Sequence, residues 1–158
     1  RRAQRGGSVR GRGGLVTSPI RRVRLAMYGP LWAVYWADHP DFELYLAGFR
    51  GEDLVTAAAI SPGESSRRPA AVGDTHLEDA TWGSSYGFMQ VRALRAQKGT
   101  GGPRDADALW ENAEHQAYAA YEVFRSAGSF RPWSDYKLGW HKPHLDTARA
   151  TAERMGVL

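Results

Sequence analysis

The order of apolar and polar positions along the chain predicts a mostly helical domain. In "DHPDFELYLAGF", Pro40 suits a first helical position and acids fill the first turn; Phe42, Leu44, Tyr45 and Leu46 are the apolar positions, and Gly48 stops the helix. "GEDLVTAAAI", residues 51–60, opens on acids that favour a helix amino end. It continues through Leu54, Val55 and three alanines, small enough to let a neighbouring element approach closely. Pro62 and Gly63 are expected to end or kink this helix, because proline lacks the N–H that would continue the ladder. Residues 66–86 are polar and turn-rich without a clean period, which allows short strands or a hairpin. The strongest helical pattern spans residues 105–128, with Leu109, Ala113, Ala117, Ala120 and Phe124 at three- and four-residue steps and Gly128 as the cap. A last helix is expected within "LDTARATAERMG". Trp32 and Trp36, four apart, are expected in the core, and no internal repeat is visible.

Length and charge sharpen this picture. A chain of 158 residues is one domain's worth, large enough to bury about two thirds of its unfolded surface. Cysteine is absent, so neither disulfides nor thiolate metal sites contribute. The formal charge of +4 is unevenly distributed: residues 1–24 hold eight arginines and no acid, leaving 13 basic against 17 acidic side chains in the remainder. A segment beginning "RRAQRGGSVRGRGG" has too little apolar surface to order itself, so residues 1–24 are expected to form a flexible basic arm, either a linker or an electrostatic tether to a polyanion. No aromatics interleave with these arginines, which argues against a single-stranded nucleic-acid platform. The most apolar run, residues 25–37, is interrupted by Gly29 and Pro30 and falls well short of the roughly 20 residues a membrane-spanning helix needs. No clear hydrophobic leader with a small-residue cleavage site is seen.

The chemistry concentrates in "SPGESSRRPAAVGDTHLEDATWGSSYGFMQVR", residues 61–92. Here Glu64 leaves the end of an apolar helix. A carboxyl in that position, partly buried against apolar walls, keeps its proton to higher pH, as general-acid cleavage of a glycosidic bond requires. Trp82, Tyr86, Phe88, Trp133 and Tyr136 are available to stack on sugars. On the residues alone, the commoner reading of such a glutamate is a solvated helix-end side chain. His141 and His144 lack further ligands at metal spacing, so no metal or other cofactor is expected. Glu78 and Asp79 are candidates to supply a groove carboxylate and equally ordinary loop residues, and His76 is expected to be a loop residue.

"AISPGESSRRPAAVGD" followed by "WGSSYGFMQVR" resembles the signature of lysozyme-like peptidoglycan hydrolases, the group that includes goose-type lysozymes and soluble lytic transglycosylases. "NAEHQAYAAYEVF" resembles the helix that follows in that family, and "FRPWSDYKLG" the Trp-Ser-x-Tyr-x-x-Gly segment of phage and actinobacterial versions. The four fragments stand in the family's order over roughly residues 47–140. The resemblance implies a mainly α lysozyme-like fold with a small irregular or hairpin segment, occupying residues 25–158 behind the arm. It implies Glu64 as catalytic acid, with Ser65 beside it as a substrate-binding residue. Gly87, Phe88, Met89 and Gln90 would line the sugar groove, the glycine allowing close substrate approach and the glutamine offering its amide. Trp82 and Tyr86 would add aromatic surface, and Tyr136 would place its hydroxyl near the acid. Asp74 matches a carboxylate that positions or activates water. A second acidic position of goose-type enzymes is Arg92 here, and Pro62 and Gly63 stand where the family commonly keeps helix formers.

The expected substrate is the glycan strand of peptidoglycan, cut between N-acetylmuramic acid and N-acetylglucosamine, either by hydrolysis with Asp74 activating water or by transglycosylation without a second carboxylate. Action at the bacterial wall follows, by a secreted enzyme, a host-lysis protein or a phage virion component. A different class remains open beside the enzyme: a phage tail segment that keeps the fold as an inactive wall-binding or assembly module.

Overall fold

Pro40 opens the first helix, α1 (Pro40–Ala47), where its missing N–H removes nothing that the helix needs. His39 caps it, its Nδ1 accepting from the Asp41 N–H at 3.3 Å, and the Gly48 N–H closes the other end on the Leu44 and Tyr45 carbonyls. The computed structural model describes Trp36 and residues 39–158; the arginine-rich segment and Trp32 lie outside the described residues. Trp36 is buried.

The next helix, α2 (Gly51–Ser65), runs three residues beyond Pro62. The proline removes one donor from the ladder, yet its fixed φ is helical and the surrounding turn is sealed by packing, with Ala57, Ala59, Ile60 and Ser61 inaccessible to solvent. The Ser66 N–H still reaches the Pro62 carbonyl at 2.9 Å, and Ser66 then leaves the helix in a left-handed conformation. Glu64 therefore stays in helical register, one residue before the helix ends.

A three-stranded antiparallel sheet follows, in the order β1 (Val72–Gly73), β2 (Trp82–Tyr86), β3 (Val91–Leu94). Its register pairs Gly73 with Ser85 and Ser85 with Arg92, with an irregularity between Trp82 and Ser85. Strands β1 and β2 pair within residues 66–86, where short strands or a hairpin were expected, and the "GFMQ" block is the turn that joins β2 to β3.

The region 105–128 is two helices, α3 (Ala106–Leu109) and α4 (Ala113–Ala127), rather than one. Glu111 adopts positive φ and the Asn112 side chain caps α4, accepting from the His115 N–H at 3.1 Å. Short α5 (Ser134–Lys137) and the terminal α6 (Leu145–Arg154) complete the chain. Helix α1 packs on α4 and α2 on α6. An aromatic cluster links Phe49, Phe124, Phe130 and Trp133, with centroids 4.5 Å apart for Phe124–Phe130 and 5.9 Å for Phe130–Trp133. It ties the start of α5 to the end of α4 and to the chain just before α2.

Candidate active site

Glu64 comes from the last turn of α2 and Asp74 from the bend after β1, and both line one cavity of about 280 Å³. Trp82, Ser85 and Arg92 from the sheet, Gln90 from the hairpin turn, Arg104 from the loop before α3, and Trp133 from the start of α5 complete most of its wall. The Glu64 carboxyl accepts from the Asp135 N–H at 3.2 Å. Burial pushes its pKa above the ordinary range; the Asp135 N–H opposes this, while the charges of Asp135 and Asp74 add to it and Lys137 works against it. A half-buried carboxyl that holds its proton to higher pH than an exposed one and faces a cavity suits general-acid catalysis. Asp74 is tied by the Ser85 hydroxyl, which donates to its carboxylate. It sits at positive φ, which turns it out of the β1 strand.

A family model described as a lysozyme like domain matches residues 44–135, more than half of the chain. The chain belongs to the lysozyme-like domain family. No curated protein and no solved structure matched. The membership carries a glycosidase or lytic transglycosylase type of enzyme and lytic action on peptidoglycan in general; the mainly helical architecture with one small sheet agrees with it.

Within this lysozyme-like domain several residues of the motif are placed differently from the sequence expectation. Phe88 and Met89 are wholly buried core side chains and do not line the cavity. They act on the site through their backbone: the Ser65 hydroxyl donates to the Phe88 carbonyl at 2.8 Å and the Trp133 indole N–H to that of Met89 at 2.8 Å. Ser65 is thus a buried strut between α2 and the hairpin turn rather than a substrate contact. Gly87, at positive φ, is glycine because a Cβ there would overlap the Gln116 side chain, so the close approach it permits is internal. Gln90 reaches the cavity, yet its amide nitrogen donates to the Gly87 carbonyl at 2.8 Å and the Ala71 carbonyl at 3.3 Å. That amide is already engaged rather than offered to a sugar. Tyr86 packs edge-on against Trp110 at 6.1 Å, and Tyr136 stacks on His141 at 4.9 Å; neither is a cavity-lining residue.

Glu78 and Asp79 are exposed and engaged elsewhere. Glu78 pairs with Arg95 at 3.3 Å, and Asp79 accepts from the Trp82 N–H at 2.6 Å and the Thr81 N–H at 2.7 Å. His76 is exposed in a short 3₁₀ turn.

Two residues shape the site without having been singled out from sequence. Asp135 is buried, and both its carboxylate oxygens lack a hydrogen-bond partner. Burial raises its pKa, and the charges of His141 and His144 partly counter this. Its carboxyl lies so close over Gly63 that a Cβ on that residue would overlap it. Gly63, unexpected in a helix, is what lets α5 dock beside Glu64. Gln116, inaccessible on α4, accepts from the Phe88 N–H at 3.2 Å and donates to the Leu109 and Pro69 carbonyls, each at 2.8 Å. The acid in "WSDY" was a legible signal for the first; a lone Gln inside a helical pattern signals little.

Proposed function

We propose that the chain cleaves the glycan strand of peptidoglycan between N-acetylmuramic acid and N-acetylglucosamine, with Glu64 as the general acid. The observation that carries this reading is a carboxyl at a buried helix end, its pKa raised by burial, facing a cavity shared with a second carboxylate. Glu64 protonates the leaving glycosidic oxygen as the bond breaks. Asp74 takes the proton of a water that attacks the sugar carbon, giving a reducing end; the Ser85 hydroxyl holds Asp74 in its acceptor orientation. Trp82, half-buried in the cavity wall, offers a ring face to the sugar chain.

Purified peptidoglycan digested with the protein and analysed by mass tests both steps together. Reducing-end muropeptides that disappear in Asp74→Asn support the hydrolytic route. Anhydro-muropeptides, unchanged in Asp74→Asn, assign the attack to the muramyl 6-hydroxyl and leave Glu64 as the only catalytic carboxylate. No released fragments from the wild-type protein would remove the reading.

A further inference from the structure

The cavity wall carries two guanidiniums as well as two carboxyls. Arg92 on β3 and Arg104 in the loop after it both approach the Trp82 ring, their guanidinium carbons 5.6 Å and 5.2 Å from its centroid. Each is held from behind by backbone oxygens. The Arg92 Nε donates to the Gly83 carbonyl at 3.2 Å and its Nη2 to the Leu77 carbonyl, while the Arg104 Nη1 donates to the Arg92 carbonyl at 2.8 Å. The loop is fixed in turn, the Leu94 N–H donating to the Arg104 carbonyl at 2.9 Å and the Arg104 N–H to the Gln97 side chain at 2.7 Å.

A guanidinium has five N–H donors, so these contacts leave donors on both residues. Among the described residues neither arginine forms an ion pair with a carboxylate; the nearby acids Glu78 and Asp79 are engaged with Arg95, Ser84 and the backbone of Thr81 and Trp82. Arg104 is half-buried, and burial alone lowers its pKa, with no carboxylate charge to restore it. Two oriented guanidiniums in a recess, neither in an ion pair among the described residues although Asp79 feels the charge of Arg92 from a distance, suit an incoming carboxylate.

We propose that Arg92 and Arg104, both beside Trp82, form a subsite for a carboxylate carried by the glycan, and that this subsite makes the cavity select acidic over neutral saccharides. The proposal rests on the glycan-cleavage reading for its substrate class. Arg92 thereby does a different task from the acid that the resemblance places at that position: it recognises substrate charge instead of handling water. The carboxylate has two sources in peptidoglycan, the lactyl group of a muramyl unit stripped of its peptide and the free carboxylates of an attached peptide stem.

The test is equilibrium binding by the full chain carrying Glu64→Gln, so that nothing is turned over, to three probes: a neutral N-acetylglucosamine oligosaccharide, stem-free glycan with free lactyl carboxylates, and stem-bearing glycan. Acidic glycan is expected to bind about tenfold tighter than the neutral oligosaccharide, the scale of one charge-assisted contact. Arg104→Gln is expected to weaken acidic-glycan binding about tenfold more than neutral binding, erasing that preference, and Arg104→Lys to retain part of it. Preference for the stem-free probe identifies the lactyl group, and preference for the stem-bearing probe alone identifies the peptide. Equal affinity of the parent for neutral and acidic probes overturns the subsite, as does an equal loss on both in Arg104→Gln. Charge-selective binding by a protein whose Glu64 form cleaves no peptidoglycan would sink the cleavage reading and leave the subsite standing; cleavage without selectivity would do the reverse.

Discussion

Asp135 donates its backbone N–H to the Glu64 carboxyl and keeps its own carboxyl buried without a partner. That combination has a stability signature. Burial raises the carboxyl's pKa above its ordinary value of 3.8, so in the pH interval just above that value the folded protein holds a proton that the unfolded chain has released. Stability contributed by this group is full below the ordinary value and is lost as pH rises through the folded-state value. Asp135→Asn has no such loss. Its stability relative to wild type should therefore increase from acid to neutral pH and then level, as denaturant titrations at several pH values would read; a difference independent of pH would exclude a titrating Asp135. Activity should move as well. The Asp135 charge is one of the influences that raise the Glu64 pKa, so Asp135→Asn should shift the alkaline limb of kcat/KM to lower pH, because the general acid then loses its proton earlier. Glu64→Gln, which keeps the shape and removes the proton, should lower turnover by roughly 10²- to 10⁴-fold with the fold retained. A variant keeping more than half of wild-type activity would remove Glu64 from the mechanism.

Between elements, the site depends on buried polar struts. Gln116 ties α4 to the hairpin turn, to the end of α3 and to the chain after α2 through three backbone bonds. Gln116→Leu keeps the volume and leaves the Phe88 N–H and the Leu109 and Pro69 carbonyls without this partner, a change expected to cost about 2–4 kcal/mol in chemical unfolding. Gly63→Ala forces its new methyl against the Asp135 carboxyl and should destabilise by about 1–3 kcal/mol; in a double-mutant cycle Asp135→Ala should recover most of that. Additive losses would separate the two residues. These struts also explain what was legible in the sequence. Helix α1 and the start of α2 announce themselves because proline, acids and glycine at helix ends act locally. The break at Trp110–Asn112 was not visible, since Leu109, Ala113 and Ala117 keep helical spacing across it; the interruption is fixed by the Asn112 cap and by Gln116, which bonds Leu109 while its other partners, Phe88 and Pro69, lie far away in sequence. Continuation of α2 past Pro62 was hidden for the same reason, tertiary burial outweighing a local breaker. In the "GFMQ" block the motif pointed to the right turn, yet side-chain direction is set by packing, which buries Phe88 and Met89 and leaves Gln90 at the cavity.

At the scale of the whole molecule, basic charge has two addresses that different substrates can tell apart. Arg92 and Arg104 lie in the cavity wall, while eight arginines occupy residues 1–24, outside the described residues, ahead of a remainder with 13 basic and 17 acidic side chains. A cluster of like charge without acids attracts a polyanion over distances set by the Debye length, about 10 Å at 0.1 M salt, and its effect fades as salt rises. Removing residues 1–14 deletes Arg1, Arg2, Arg5, Arg10 and Arg12. The truncated protein should bind intact walls more weakly at low salt and converge with the full chain at high salt, as pelleting across a salt titration would measure. On short soluble glycans its cleavage rate should match that of the full chain, because such substrates reach the cavity without needing a long-range tether. Arg104→Gln should show the complementary pattern, its defect persisting on short acidic glycans. Equal wall binding by truncated and full-length chains at every salt concentration would assign the segment no electrostatic role in reaching the substrate.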